Sequence, residues 1–115
     1  MKLPQIQNRR GEAGEIVVDL ALPMSHACFL GHFPGRPVLA GVLQVDWAMR
    51  FAAEYFALDQ TVAQDFQVKF RRVVGPDEDL SLALRFDRQR GTVTFEYRSA
   101  GEIVSSGKIR LEQHS

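Results

Sequence analysis

The sequence lacks the features of a disulfide-stabilised scaffold, of a multi-cysteine metal site and of a general nucleic-acid-binding protein. Its 115 residues include a single cysteine, Cys28, which excludes an internal disulfide and any multi-cysteine metal site. The 14 Lys and Arg residues balance the 14 Asp and Glu residues, so the formal net charge is zero. Because a general nucleic-acid binder needs a basic footprint, this balance argues against one. The lone cysteine favours a reducing compartment, and we predict a cytoplasmic protein.

Long apolar runs are also missing. The longest charge-free stretch, residues 20–35, contains two prolines, two glycines and two histidines. A transmembrane helix needs about 20 mostly apolar residues. The first residues lack the apolar segment of a secretion signal. We therefore predict no membrane span.

The length and the composition are those of one globular domain, which we predict to cover residues 1–115. Apolar residues make up 45% of the chain and charged residues 24%, which excludes a disordered chain. Residues 41–57 contain no proline and are apolar nearly all the way round, which predicts a helix that is buried on every side. Around it, runs rich in β-branched or alternating apolar residues predict strands at 15–22, 63–74, 80–86, 92–98 and 102–111. The fold class is therefore α+β, an antiparallel sheet wrapped around a central buried helix.

Three positions could carry chemistry. His32 lies in a loop that two prolines and two glycines restrict, where it could be hydrogen-bonded for structure or, as a neutral imidazole, act as a base at pH 7. Asp46 lies in the second turn of the helix, where it could pair with Arg50 or be kept protonated by apolar surroundings and donate a proton. Gly41 opens the helix, either as a simple cap or with its N–H directed at an anion or a carbonyl. No histidine spacing indicates a metal site, and we predict neither a metal nor a cofactor.

These residues form a motif that resembles the hot-dog-fold 3-hydroxyacyl-[acyl-carrier-protein] dehydratases. The run His32–Leu43 reads HFPGRPVLAGVL, and Asp46 follows His32 by fourteen residues. A second segment, Lys69–Val73, also looks like the family. The sequence around Asp46 looks most like the small dehydratase-like proteins of aryl polyene gene clusters. One departure is Ala40, which stands where the family usually has proline.

The resemblance implies the loss of water from a 3-hydroxyacyl thioester on acyl carrier protein, in fatty acid or aryl polyene biosynthesis, to give a trans-2-enoyl thioester. His32 would take the proton next to the thioester carbonyl, and Asp46 would protonate the departing hydroxyl or orient the water. The N–H of Gly41 would stabilise the enolate oxygen, and the carbonyl of Val38 would hold the second imidazole nitrogen. The family pairs two protomers side by side, with the histidine and the acid of each site on different subunits. This implies a homodimer or a higher oligomer.

The remaining expectations concern substrate and carrier. The acyl chain would be lined by aromatic and apolar residues that could equally be plain core: Phe29, Leu30, Phe33, Trp47, Met49 and Phe51. A basic cluster would bind the acidic carrier protein, unless its members are solvated strand charges: Lys69, Arg71 and Arg72. Two other functions stay open. One is a catalytically silent subunit that binds the carrier or acts as a scaffold, and the other is a hot-dog thioesterase that would release a free thiol.

Overall fold

The computed structural model describes residues 3–23, 25–26, 38–58 and 63–111, which form six strands and one helix. In chain order these elements are β1 (Gln5–Glu12), β2 (Glu15–Ala21), α1 (Gly41–Tyr55), β3 (Ala63–Phe70), β4 (Leu80–Asp87), β5 (Thr92–Ser99) and β6 (Glu102–Leu111). All six strands belong to one sheet in the order β1-β2-β4-β5-β6-β3. Every neighbouring pair is antiparallel. Strands β1 and β3 stand at the two ends of this order and are therefore the edge strands.

Alternating apolar residues place the core on one face of this sheet. Leu80, Leu82 and Leu84 of β4 are at most 2% exposed, as the period-two pattern predicts. Their neighbours on β5, Val93, Phe95 and Tyr97, are fully buried. The helix packs on this face, so the predicted α+β architecture with a central helix is confirmed.

The helix is buried along one stripe and not on every side. Its inner stripe consists of Gln44, Trp47, Ala48, Phe51 and Ala52, which follow the spacing of an amphipathic helix. Its outer side carries four exposed residues, Val42, Asp46, Arg50 and Glu54. The prediction of burial on every side is therefore wrong for a single chain, because the sheet covers only one side of α1.

The structure also contains one strand that was not predicted, and another strand ends earlier than predicted. The sequence gives no signal for β1, in which Ile6 is half-buried and the other seven residues are exposed. Strand β3 ends at Phe70 and not at residue 74, because Arg72 turns away toward Glu78. Ala100 and Gly101 form the turn between β5 and β6, with positive φ angles of 52° and 78°. In the part of the chain that the structure describes, no helix is long and apolar enough to cross a membrane.

Candidate active site

The site is built around the first turns of α1. Ala40 is extended, with φ −63° and ψ 141°, and its carbonyl accepts hydrogen bonds from the N–H groups of Leu43 and Gln44 at 3.1 and 3.3 Å. Among the described residues no side chain caps this end, and the first turn contains no acidic residue. The first N–H groups of a helix have no partner within the helix and give this end a partial positive charge. The N–H of Gly41 is one of these groups.

Gly41 is also a point of close approach between α1 and the edge strand β3. A Cβ atom at this position would lie 2.7 Å from Cζ of Phe70, whose ring rests against the start of the helix. A larger residue would push the ring away, so glycine allows the two elements to meet. This contact places Phe70 directly beside the helix end.

Asp46 stands on the outer side of α1. Its side chain is 50% exposed, and its Oδ2 lies 3.7 Å from a guanidinium nitrogen of Arg50, one turn further on. The structure therefore contains the ion pair that the sequence allowed. An exposed pair of this spacing contributes only about 0.3–0.5 kcal/mol. The apolar neighbours Val42, Val45 and Met49 do not enclose the carboxylate within one chain.

Apolar side chains lie uncovered next to this side of the helix. We call Val42, Phe66, Phe70 and Val73 the uncovered patch; each is 52–75% exposed. Phe66 and Phe70 lie opposite the buried residues Ile109 and Ser105 of β6, so they point to the same face as α1. Only the start of α1 reaches this edge strand, at Phe70, and Phe66 and Phe70 therefore stay about half exposed.

The structure places the other predicted residues in three groups. His32, Phe29, Leu30 and Phe33 lie outside the described residues. Trp47 and Phe51 are at most 1% exposed in the core, whereas Met49 and Val38 are half-buried. The ring of Trp47 meets the ring of His26 edge-on, with centroids 5.7 Å apart. The proposed roles of these residues in substrate binding stay predictions.

The three basic residues predicted to bind a carrier protein differ in their surroundings. Lys69 and Arg71 are exposed. Arg72 lies in a network, where its guanidinium contacts a carboxylate oxygen of Glu78 at 2.9 Å and one of Glu102 at 3.5 Å. Lys69 and Arg71 therefore present their charge to solvent, and much of the charge of Arg72 is met within the chain.

Glu78 is the centre of that network. Its Oε1 accepts hydrogen bonds from Arg72 and from the hydroxyl of Ser99, and its Oε2 accepts one from the N–H of Gly75 at 2.6 Å. Burial alone would raise the pKa of Glu78, but the bonds from Gly75, Arg72 and Ser99 outweigh it, and the pKa is lowered. The carboxylate thus holds the connection between β3 and β4 in place.

Sequence reasoning missed a buried polar cluster beneath the helix. The hydroxyl of Ser105 donates to Oε1 of Gln44 at 2.6 Å, and the hydroxyl of Tyr97 donates to the backbone carbonyl of Gln44, also at 2.6 Å. The signal that could have found it is a glutamine within the buried stripe of α1 and a serine on the inner face of β6.

Among residues 3–23, 25–26, 38–58 and 63–111, no group of three metal-ligating side chains occurs.

Comparison with known proteins identifies the family. Residues 7–108 match the family described as ApeI-like, ApeI dehydratase. The solved dehydratase heterocomplex ApeI:P from Xenorhabdus doucetiae contains a chain that is 32% identical, with a TM-score of 0.90. That match covers 97% of this chain and 100% of the other.

More distant relatives agree on the fold. The 3-hydroxyacyl-[acyl-carrier-protein] dehydratase FabZ of Rickettsia massiliae is 32% identical over 92 residues, which cover 73% of this chain and 61% of the relative. Thioesterase superfamily member 2 from zebrafish has a TM-score of 0.67 at 13% identity, covers 87% of this chain and 75% of that one, and shares the fold alone. These matches confirm a single hot-dog domain. The resemblance seen in His32–Leu43 and Asp46 is confirmed, and the chain belongs to the ApeI-like dehydratase family.

Proposed function

We propose that this protein removes water from a 3-hydroxyacyl thioester held on acyl carrier protein and forms the trans-2-enoyl thioester, in aryl polyene or fatty acid biosynthesis. One observation carries the proposal. The chain belongs to this family, and its Asp46, fourteen residues after His32, lies on the outer side of α1 in the second turn of the helix. A base, a carboxyl group and a set of backbone donors are the parts that such an elimination needs.

The proposed reaction uses proton transfers alone. His32 takes the proton from the carbon next to the thioester carbonyl, and the negative charge moves onto the carbonyl oxygen. The N–H of Gly41 donates to that oxygen as the charge develops. The electron pair then forms the carbon–carbon double bond as the C3–oxygen bond breaks. Asp46 protonates the departing hydroxyl, and water leaves; in the alternative, protonated His32 returns its proton to the hydroxyl and Asp46 orients the resulting water.

An acid role for Asp46 requires a second chain. Within one chain the carboxylate is half in water, and its Oδ2 lies 3.7 Å from a guanidinium nitrogen of Arg50. Burial disfavours the charged form of a carboxyl, so the acid role needs a surface that covers this side of α1. The uncovered patch and the unpaired edge of β3 are the features on this side that a second copy could cover. We therefore propose a homodimer in which His32 of one copy faces Asp46 of the other.

Carrier binding is assigned to the exposed cations. Lys69 and Arg71 can approach an acidic partner without breaking contacts within the described residues, whereas Arg72 would have to leave Glu78. Attraction between exposed charges weakens as salt screens them. We expect carrier affinity to fall with ionic strength, and to fall further when Lys69 and Arg71 are neutralised.

A second function is favoured by one specific comparison. The similar chain of Xenorhabdus doucetiae belongs to a dehydratase heterocomplex, and a silent subunit that binds a carrier or supports a catalytic partner would fit such an assembly. Ala40 in place of the family proline leaves room for that role. A thioesterase is less well supported, because the thioesterase neighbour shares only the fold.

The test is enoyl formation from a 3-hydroxyacyl carrier-protein thioester, followed by ultraviolet absorbance. Wild type is compared with His32→Ala, Asp46→Asn and the control Glu54→Gln, an exposed carboxylate on the same side of α1. We expect turnover in wild type, a loss of about 10²–10⁴-fold in the first two variants, and no loss in the control. A folded protein that binds carrier but turns over no chain length would favour the silent subunit. Release of free thiol would identify a thioesterase.

A further inference from the structure

The buried cluster beneath α1 joins the helix to two strands through a single residue, Gln44. Gln44 is 2% exposed, and its side-chain oxygen accepts the Ser105 hydroxyl of β6 at 2.6 Å. Its backbone carbonyl accepts the Tyr97 hydroxyl of β5 at the same distance. A buried amide is costly unless it is hydrogen-bonded, and an apolar side chain would fill the same place without that requirement. The cluster therefore calls for an explanation beyond packing.

The same glutamine also reaches back to the segment that precedes the helix. Its Nε2 donates to the carbonyl of Leu39 at 3.4 Å, and its backbone N–H donates to the carbonyl of Ala40 at 3.3 Å. The N–H of Leu39 is held in turn by the carbonyl of Val74 at 2.7 Å. Gly41 lies between these fixed points. The position of its N–H thus depends on where Gln44 is held, and Ser105 holds it.

We propose that Ser105, acting through Gln44, is a positioning residue that fixes the backbone N–H of Gly41 relative to the thioester carbonyl. The inference rests on the proposed function for its chemical meaning. A donor helps a developing enolate only if it already points to the place where the charge appears. Three hydrogen bonds join Gln44 to Ser105 of β6, to Tyr97 of β5 and to the carbonyl of Leu39. Together they restrict the rotation of α1 and its movement along its axis more than packing alone would.

The second hydroxyl of the cluster keeps its role over the working pH range. Burial raises the pKa of Tyr97 well above its ordinary value of 10, and the nearby Asp46 carboxylate raises it further. Tyr97 therefore remains protonated and continues to donate to the Gln44 carbonyl.

The chain offers a matched control for the test. Ser99 and Ser105 are both at most 4% exposed, and each donates its hydroxyl to a side-chain oxygen. Only Ser105 is linked to the helix, since Ser99 bonds to Glu78. We compare Ser105→Ala with Ser99→Ala, using a 3-hydroxybutyryl N-acetylcysteamine thioester so that carrier binding does not contribute. Tyr97→Phe serves as a second variant that opens no cavity of side-chain size.

Two readouts are taken on each variant: kcat and KM, and the chemical shift and hydrogen exchange of the Gly41 amide by NMR. We expect Ser105→Ala to lower kcat about ten- to a hundredfold, with little change in KM, because the lost alignment matters most in the transition state. The Gly41 amide shifts and exchanges faster. Ser99→Ala loses thermal stability to a similar degree but keeps kcat and the Gly41 amide signal. Tyr97→Phe changes kcat and the amide in the same direction as Ser105→Ala.

Each result bears on the proposal. If Ser105→Ala matches Ser99→Ala in kcat and in the Gly41 signal, the cluster serves only folding and the inference is overturned. If wild type shows no turnover, the proposed function fails, but the NMR signal of the Gly41 amide still tests the positioning role of Ser105. A Gly41 signal displaced in Ser105→Ala and unchanged in Ser99→Ala keeps the positioning role, and an unchanged signal in both refutes it.

Discussion

Replacing Glu78 with glutamine tests the network that holds the β3–β4 connection. The carboxylate accepts three hydrogen bonds, from Arg72, Ser99 and the N–H of Gly75, at 2.9, 2.9 and 2.6 Å. Glutamine has one acceptor oxygen and one NH₂ group. If its oxygen faces Gly75, its NH₂ faces the guanidinium of Arg72. If its oxygen faces Arg72, its NH₂ faces the N–H of Gly75. At least one donor loses its partner either way, and two do when the oxygen faces Gly75, because Arg72 and Ser99 share Oε1.

The expected cost follows from the charge and the exposure of the site. A hydrogen bond to a charged group contributes about 1.5–3 kcal/mol, and the Glu78 side chain is 28% exposed, which screens part of that. We expect Glu78→Gln to lower the free energy of unfolding by about 2 kcal/mol at pH 7. The control is Glu102→Gln, which removes a carboxylate 3.5 Å from the same guanidinium but is 71% exposed. Its cost should be below about 0.5 kcal/mol.

The difference should depend on pH in a defined direction. The folded-state pKa of Glu78 lies below its ordinary value of 4.5, so its contribution to stability is fully present above pH 4.5 and is lost as the pH falls through the folded-state value. Urea unfolding of wild type and both variants between pH 7 and pH 3 measures this. Equal costs for the two variants at pH 7, or a Glu78→Gln cost that does not shrink in acid, would refute the reasoning.

Two further substitutions test the core and the uncovered patch. A Cβ at Gly107 would lie 2.5 Å from the ring of the fully buried Phe95 and 2.8 Å from the Gln67 carbonyl, so Gly107→Ala should cost about 1–3 kcal/mol. In urea unfolding, the outward-facing control Ser106→Ala should be nearly neutral, and equal costs would contradict the packing. Phe66→Asp should dissociate the proposed dimer in analytical ultracentrifugation, whereas Gln67→Ser, on the opposite face of β3, should not. A dimer that survives Phe66→Asp would exclude the patch from the interface.

The strands that the sequence predicts well are those whose side chains record the burial of one face. Leu80, Leu82 and Leu84 alternate with polar neighbours, and the structure buries them as the pattern requires. Strand β1 leaves no such record, because it is an exposed edge. It is held by backbone pairing with β2 and by contacts such as the ion pair between Arg10 and Asp19 at 2.9 Å. A strand that buries almost no side chain cannot be read from periodicity.

In the candidate site, too, some residues are predictable from the sequence and others are not. Gly41 and Asp46 are predictable, because helix starts and charged residues in apolar segments carry local signals, and α1 begins at Gly41 as the sequence indicates. The partners of Gln44 are not predictable, since Ser105 lies 61 residues away and Tyr97 lies 53. Only the antiparallel pairing of β5 and β6 beneath the helix brings the three together.

The uncovered patch includes Val42 on the outer side of α1 and Phe70, which contacts the start of the helix. A lone chain gains little from Val42 at 75% exposure or from Phe66 and Phe70 at about half, because the exposed part of an apolar side chain lowers solubility and adds no packing. The same side carries Asp46, whose exposed ion pair with Arg50 contributes little. A partner surface that covers both these phenylalanines and Asp46 would remove water from around the carboxylate. The proposed assembly and the proposed acid role of Asp46 would then depend on the same event.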